Sequence, residues 1–270
     1  MPVPQLALSP LGLADLGLAD LGVAGWLLLI LAGVLIGFSK TAIAGVGSIA
    51  VALTALALPA RESTGAVLPM LIAGDLMAIA LYRRHADWAV IWRLLPGLLP
   101  GLALGWFFMR WADDQAMRMT IGLILLLMVA LQLWQRRRPP GDDADPAART
   151  SAAARHLATV VVGAAAGFTT MTANSSGPVI TIYLILAGLA MLRMLGTMAW
   201  FFFLVNLAKV PFSVQLGLIT PASLLLNLWL LPAIAAGGWL GAVLIKRMDQ
   251  RQFELAALAL GAVAAALLLL

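Results

Sequence analysis

The chain of 270 residues contains no cysteine, and only 11% of its residues are charged. The absence of cysteine excludes disulfide bonds, thiolate metal ligands, iron–sulfur clusters and thiol nucleophiles. The scarcity of charge goes with 63% hydrophobic residues and a mean hydropathy of +1.00, whereas soluble domains are about 45–50% apolar. The composition therefore predicts an all-α integral membrane protein with no sizeable soluble domain.

The chain carries a net charge of +5, but its basic residues lie mostly in short connections between apolar runs. Membrane topology accounts for basic residues in such positions, so no nucleic-acid partner is expected and the lipid bilayer is the expected surrounding. The start of the chain lacks the basic region and the small-residue cleavage site of a secretory signal. Residues 1–21 are therefore interpreted as a retained extracytoplasmic segment.

Ten apolar runs, bounded by charged residues or by Gly and Pro, are predicted to be helical segments in a membrane. They lie at 22–38, 44–58, 64–82, 89–109 and 117–134, then at 156–168, 176–190, 194–213, 221–245 and 253–270. A stretch rich in Pro, Asp and Arg at 135–155 has the composition of a flexible linker. It divides the chain into two membrane units, 22–134 and 156–270.

The two units share residues in the same order, which indicates an internal duplication. Gly37-Phe38-Ser39 corresponds to Gly167-Phe168-Thr169 at an offset of 130, Asp75 to Asn206 at 131, and Gly105 to Gly241 at 136. Because each unit has five segments, an odd number, the second unit starts on the opposite membrane face. We therefore predict two inverted repeats, the first two segments of each being short or re-entrant.

The distribution of Lys and Arg predicts the orientation, because cytoplasmic loops carry the excess of these residues. With both termini outside the cytoplasm, most basic residues fall inside; they are Arg83, Arg84, Arg93, Arg136, Arg137, Arg138, Arg149, Arg155, Arg193, Lys246, Arg247 and Arg251. Only Arg61, Arg110 and Arg118 fall outside. The opposite orientation fits this distribution much less well.

Two polar breaks interrupt the apolar sequence, at Ser39–Ser48 and at Thr169–Pro178. Unpaired backbone groups at membrane depth are tolerated only inside protein or beside a wet cavity, so we expect these breaks to face each other in the interior. In inverted-repeat transporters, paired interruptions mark the substrate site. Helices that restart near Gly47 and Pro178 would direct N–H groups and positive dipole ends to the cavity, which favours an anion.

Neutral hydrogen-bond donors and small residues in the breaks are the first candidate ligands for an anion. They are Ser39, Thr41, Gly45, Gly47, Thr170, Asn174, Ser175, Ser176 and Gly177. The alternative interpretation is that these side chains satisfy their own backbone or join helices to one another.

Four polar residues lie within or beside apolar segments, where ionisable groups are costly and often functional. Lys40 adds a positive charge to the first break, and Asn206 and Lys209 lie on one helix face in the second unit. The alternative interpretation of each lysine is that its side chain extends to the membrane interface. Asp75 either pairs with Lys40 or Lys209, or carries a coupling proton.

His85 and His156 both lie in cytoplasmic connections, so no metal site or catalytic dyad is expected within the membrane. No nucleotide-binding motif appears either. The residues therefore predict a protein that is not an enzyme, binds no cofactor, and is driven by an ion gradient, with a proton as the expected coupling ion.

GFSKTAIAGVG in the first unit, with GFTTMTANSSGP and GTMAWFFFLVNLAKVPF in the second, resembles the TauE/SafE sulfite-exporter-like permeases. The resemblance covers nearly the whole chain. It implies a secondary carrier for sulfite or for sulfonates such as sulfoacetate, in a bacterial inner membrane. It also implies a substrate cavity made by Lys40, residues 45–47, Asn174, Gly177, Pro178, Asn206 and Lys209.

The leading hypothesis is accordingly a secondary active transporter that moves a small organosulfur or sulfur oxyanion by alternating access. The alternatives are an anion channel and a carrier of a non-sulfur organic anion. A membrane-embedded enzyme lacks support, because no nucleophile and base occur together in the apolar segments.

Overall fold

The computed structural model describes residues 21–42, 46–137 and 152–244, and all regular structure within these ranges is helical. The α-helices, in chain order, are α1 (Gly22–Thr41), α2 (Gly47–Ala57), α3 (Ala60–Ala66), α4 (Leu68–Tyr82), α5 (Trp88–Trp111), α6 (Asp114–Arg137), α7 (Ala152–Ala173), α8 (Gly177–Leu186), α9 (Met191–Gln215) and α10 (Pro221–Leu244). A short 3₁₀ helix, Arg83–His85, follows α4. The predicted all-helical class is confirmed for this part of the chain.

Five stretches of the described chain are long and apolar enough to cross a membrane, which makes the protein a multi-pass membrane protein. They are Gly22–Thr41, Ala60–His85, Trp88–Trp111, Met191–Gln215 and Pro221–Leu244. Many large apolar side chains on these helices are exposed, including Leu27, Leu104, Phe107, Leu228 and Trp239. Such a surface is suited to lipid rather than to water.

Two short segments were predicted at the start of each unit. The prediction is right for the second segment of both units, but it is wrong for the first segment of the amino-terminal unit. Helices α2 and α8 have 11 and 10 residues, about half a membrane crossing. Helix α1 has 20 residues, because the helix continues through Ser39, Lys40 and Thr41 instead of ending before them. In α7 the apolar part, Leu157–Ala173, remains short.

The third predicted segment is divided into two helices, α3 and α4. The hydropathy of the sequence does not indicate this division. The division falls at Val67, and Pro69 lies in the first turn of α4. A proline has no N–H, which costs nothing in the first turn of a helix, so Pro69 suits the start of α4.

Helix α1 packs lengthwise against α10, and α5 packs in the same way against α7. Glycines allow both approaches. A side chain at Gly37 would overlap the carbonyl oxygen of Ile234, and one at Gly167 would overlap that of Leu98. Each of these helix pairs joins a helix of one half of the chain to a helix of the other.

The contacts of the two helix pairs correspond residue by residue. Gly37 and Gly167 differ by 130 in number, and the partners Leu98 and Ile234 differ by 136. These are the offsets of the sequence correspondence. The same holds for Gly101, which abuts the carbonyl of Ala164, and for its counterpart Gly237, which abuts the carbonyl of Val34.

Helices α4 and α9 pack against each other between the two pairs and run in opposite directions. Gly65, near the start of the third span, abuts Leu218 just beyond α9, whereas Gly196 near the start of α9 abuts His85 just beyond α4. The centre of this crossing carries Asp75 and Asn206, which are hydrogen bonded to each other.

Several predictions fall partly or wholly outside the described residues. Helix α6 continues to Arg137 and α7 begins at Ala152, so both helices extend into the predicted linker at 135–155. The rest of that linker, residues 1–20 and the tenth predicted segment at 253–270 lie outside the described ranges.

Candidate functional site

Lys40, in the last turn of α1, forms an ion pair with Asp75 in the middle of the third span. The Lys40 Nζ atom lies 2.7 Å from Asp75 Oδ1, and the exposed fractions of the two side chains are 11% and 0%. Gly74 makes room for this contact, because a side chain there would press on the Lys40 stem. Of the alternatives considered for Asp75, the pairing with Lys40 is therefore observed.

The second carboxylate oxygen of Asp75 accepts a hydrogen bond from Asn206 on α9. The Nδ2 to Oδ2 distance is 2.6 Å, and Asn206 is buried. A buried carboxylate is tolerated when its oxygens are satisfied by a charge and by hydrogen bonds. Asp75 has both, so a carboxylate is accommodated at the α4–α9 crossing despite its apolar surrounding.

Lys209 lies three residues beyond Asn206, and its side chain is buried. Its Nζ donates a hydrogen bond to Asn174 Oδ1. The amide of Asn174 donates in turn to the carbonyl oxygen of Thr64, at 2.9 Å. Lys209 is also within electrostatic range of Lys40 and Asp75, so the two lysines belong to one charged cluster, defined here as Lys40, Asp75 and Lys209.

Asn174 ends α7 with a backbone φ of +48°. This left-handed conformation stops a helix, and asparagine adopts it more readily than other non-glycine residues. The Asn174 N–H still closes the last turn by donating to Thr170 O at 3.1 Å. The same residue thus terminates the helix and positions the amide that meets Lys209.

The two polar breaks meet, as predicted. The hydroxyl groups of Ser48, in the first turn of α2, and Ser175, just before α8, are 2.8 Å apart and buried. Helix α2 begins at Gly47, and its N-cap residue Val46 provides no side-chain cap for the first N–H groups. Gly47 is required by close packing, because a side chain would crowd Ser39 Oγ.

The charged cluster has one more cation than anion when all three groups are ionised. Asp75 and Lys209 are the only fully buried charged residues in the part of the chain that the structure describes. The ring of Phe202 faces the Lys40 ammonium group, with 4.7 Å between Nζ and the ring centroid, and an aromatic face stabilises a cation. An interior of this kind attracts anions and repels cations.

Thr41, proposed as a ligand, and two further threonine hydroxyl groups in the second break bond to helix backbone instead, in line with the alternative interpretation. Thr41 Oγ1 donates to the carbonyl oxygen of Gly238 at 2.9 Å, joining α1 to α10. Thr169 and Thr172 each donate to a carbonyl one turn earlier in α7, at 2.8 Å. These threonines stabilise helix ends and helix contacts.

The remaining predicted ligands are placed by backbone structure alone. Gly177 begins α8, and the Ser176 carbonyl accepts a hydrogen bond from Ile180 at 3.1 Å. Thr170 is buried in the last turn of α7. Gly45 lies outside the described residues.

Three groups of the site were not identified from the sequence. Phe202 lies four residues before Asn206 and Tyr82 lies seven residues after Asp75, so helical periodicity places each on the same helix face as the polar residue. Tyr82 donates its hydroxyl hydrogen to the carbonyl oxygen of Thr41 at 2.7 Å. The third group, the Thr64 carbonyl that accepts from Asn174, belongs to the backbone. The residue type at position 64 therefore does not indicate this contact.

The structure describes no group of three or more His, Cys, Asp and Glu side chains arranged to hold a metal ion. Its polar interior consists instead of lysines, amides, hydroxyls and one carboxylate.

The helices and this polar interior define a multi-pass membrane protein with a charged centre between its two halves. Residues 29–268 match the family described as sulfite exporter TauE/SafE, so the chain belongs to that family of membrane transporters. The resemblance seen in the sequence motifs is thereby confirmed. No curated protein matches the chain, and no solved structure matches it.

Proposed function

We propose that the protein is a secondary active transporter that moves sulfite, sulfoacetate or a similar small sulfonate across a bacterial inner membrane. The observation that carries this proposal is the buried cluster of two lysines and one aspartate where the two halves of the chain meet. Membership of the TauE/SafE family supports a sulfur anion as the cargo.

The proposed substrate site lies between the ends of α1 and α7 and the starts of α2 and α8. Lys40 and Lys209 supply charge, while Asn174, Ser175 and the uncapped start of α2 supply neutral donors. A tetrahedral or pyramidal oxyanion has three oxygens to satisfy, and several donors of this kind satisfy them together. Its contacts would replace some that the side chains now make with one another.

Two inverted repeats related by an axis through the α4–α9 crossing would provide the alternating access. Two observations support such a relation. Helix α1 packs against α10 and α7 packs against α5, so that each pair joins the two halves of the chain, and the contact residues of the two pairs correspond at constant residue offsets. The opposite directions of α4 and α9 support it as well. Rocking of one repeat against the other would open the shared site to each side in turn.

A proton gradient is the proposed driving force, and Asp75 is the proposed coupling residue. It is the only buried carboxylate in the part of the chain that the structure describes, and intramembrane carboxylates commonly carry protons in transporters. We also propose that both chain termini lie outside the cytoplasm, on the basis of the loop charges.

Uptake of isotopically labelled sulfite and sulfoacetate into proteoliposomes tests the function. Wild-type protein should take up at least one of them and should exchange internal for external anion. Replacement of Lys40 by Ala should lower uptake at low substrate concentration by about 10- to 100-fold, because a charge-assisted hydrogen bond contributes about 1.5–3 kcal/mol.

The matched control is Arg118→Gln, which removes a cation whose side chain is 42% exposed. The double variant Lys40→Ala/Asp75→Asn removes the unpaired buried carboxylate that the single change leaves, and its comparison with Asp75→Asn in anion exchange separates loss of binding from loss of folding. Exchange by the double variant equal to that of Asp75→Asn would remove Lys40 from the site. Flux without any exchange would instead establish a channel, and uptake of only non-sulfur anions would change the cargo class.

A further inference from the structure

In the structure, Asp75 occupies the position at Lys40 that an anionic cargo would need. The carboxylate accepts from the Lys40 ammonium at 2.7 Å through Oδ1 and from Asn206 at 2.6 Å through Oδ2. Lys40 has the Phe202 ring against it at 4.7 Å. A cargo oxyanion that binds Lys40 therefore competes with the Asp75 carboxylate for the positive charge of Lys40.

The exposed fractions of the two side chains show which partner of the ion pair an anion meets first. The Asp75 side chain is completely buried, whereas the Lys40 side chain retains 11% exposure. Of the pair, the Lys40 side chain is the more accessible partner. An anion therefore meets Lys40 first, and a carboxylate released as an ion would lie in a position that has no solvent exposure in this conformation.

Release of Asp75 as an ion is unfavourable for this reason. Breaking a buried pair by removing one partner is strongly unfavourable, because an uncompensated charge remains in an apolar surrounding. Protonation removes that charge. The protonated carboxyl group can donate a hydrogen bond and no longer requires Lys40.

The other charged groups around Asp75 do not replace Lys40 in this role. From α9, Lys209 is already bonded to Asn174, and Asn206 is neutral. Helix α10 also packs on α4, but Pro221–Leu244 contains no charged residue. On its own helix, Tyr82 is bonded to the carbonyl of Thr41.

We propose that Asp75 acts as an internal competitor of the transported anion, so that each anion carries one proton with it. The Lys40–Asp75 ion pair breaks, a proton from the open aqueous side forms an O–H bond with the Asp75 carboxylate, and the anion binds Lys40. At the opposite side the anion leaves, Asp75 loses the proton to that side, and the ion pair forms again. This inference rests on the proposed transport function and specifies its coupling.

The charge balance of this exchange predicts how transport responds to the membrane potential. One proton and one monovalent sulfonate bring no net charge, so their joint movement does not respond to membrane potential. A dianion moves with one net negative charge and does respond, by about 2.3 kcal/mol per 100 mV for each elementary charge.

The decisive variant is Asp75→Asn, compared with Asp75→Glu in proteoliposomes with a monovalent sulfonate as cargo. The asparagine variant should bind the sulfonate about 10-fold more tightly, with an affinity that lacks the pH dependence contributed by Asp75, since the competitor is gone (about 1.4 kcal/mol). It should keep exchange but lose net uptake and proton movement. The glutamate variant should keep pH-dependent uptake.

A measurement on the unaltered protein covers the case in which Asp75→Asn fails to fold. Addition of the sulfonate to purified wild-type protein in weakly buffered detergent solution should remove about one proton from solution per anion bound. No proton uptake would overturn the inference, as would wild-type pH dependence in Asp75→Asn. Absence of any sulfonate or sulfite transport by the wild type would instead refute the proposed function.

Discussion

Asn174 has two roles that separate substitutions can distinguish. Its backbone ends α7 at φ +48°, and its side chain connects Lys209 to the Thr64 carbonyl. Asparagine was selected from the sequence only as one of several polar residues in a break. Its left-handed backbone was not foreseen, because that conformation depends on where α7 ends.

Asn174→Gly keeps the helix end and removes the side chain, whereas Asn174→Ala removes the side chain and strains the backbone. We expect the glycine variant to lose about 1–3 kcal/mol of folding stability, which is the cost of leaving a buried hydrogen-bonding partner unsatisfied. The alanine variant should lose about 1 kcal/mol more, because of the left-handed conformation. Thermal unfolding in detergent checks both, and equal stabilities would show that the backbone strain is negligible.

Four polar residues of the site were identified from sequence because a polar side chain within or beside an apolar segment is conspicuous. Lys40, Asp75, Asn206 and Lys209 were all selected in this way, and the structure brings them into one network. The hydroxyl groups were harder to sort. A threonine that bonds its own helix has the same sequence context as one that faces a cavity, so Thr41 was included among the ligands although it joins α1 to α10.

At the scale of elements, most helices were located from hydropathy, whereas their ends were not. Charged and hydroxyl residues ended the predicted first segment too early, because polarity does not prevent helical hydrogen bonding. The division between α3 and α4 was missed because it lies within an apolar run. Only the proline at position 69 indicated it.

The close approach of α1 to α10 predicts unequal effects at two glycines one turn apart on α1. A side chain at Gly37 would overlap backbone atoms of α10, which cannot move independently. At Gly33 the nearest atom would be the Ala233 side chain at 3.3 Å. We expect Gly37→Ala to destabilise the protein by about 1–3 kcal/mol through overpacking, and Gly33→Ala to have a smaller effect.

Yield of monodisperse protein and thermal unfolding midpoint measure this difference. The corresponding test in the second pair is Gly167→Ala, which would overlap the Leu98 carbonyl and the Leu102 N–H. A similar loss of stability in Gly37→Ala and Gly167→Ala would support the equivalent packing of α1 on α10 and of α7 on α5. Wild-type stability of Gly37→Ala would contradict the close contact with α10.

At the scale of the whole molecule, the absence of cysteine provides a clean background for measuring topology. Arg84 lies in the 3₁₀ helix after α4, and Gln215 ends α9; both side chains are exposed. If the loop charges determine orientation as proposed, a membrane-impermeant maleimide should label Gln215→Cys in intact cells with a permeable outer membrane. Arg84→Cys should react only after the inner membrane is opened.

Labelling of both sites from the same side would contradict an odd number of crossings between them and hence the proposed repeats. Labelling in the reverse order would leave the repeats possible but would invert the proposed orientation. Sequence alone predicted the number of segments in the described chain well, since hydropathy reports lipid exposure directly. It did not predict which helices pack together, because that choice depends on small residues spaced far apart in the chain.

The exchanged pairing of helices has a consequence for how the chain is made. Thr41 bonds to Gly238, 197 residues further along the chain, so α1 enters the bilayer long before its partner α10 exists. At a synthesis rate of about 5–20 residues per second, this interval lasts about 10–40 s. During it, Lys40 must be held by Asp75, by lipid headgroups or by the insertion machinery. Assembly of this protein is therefore a late event, completed only when nearly the whole polypeptide has left the ribosome.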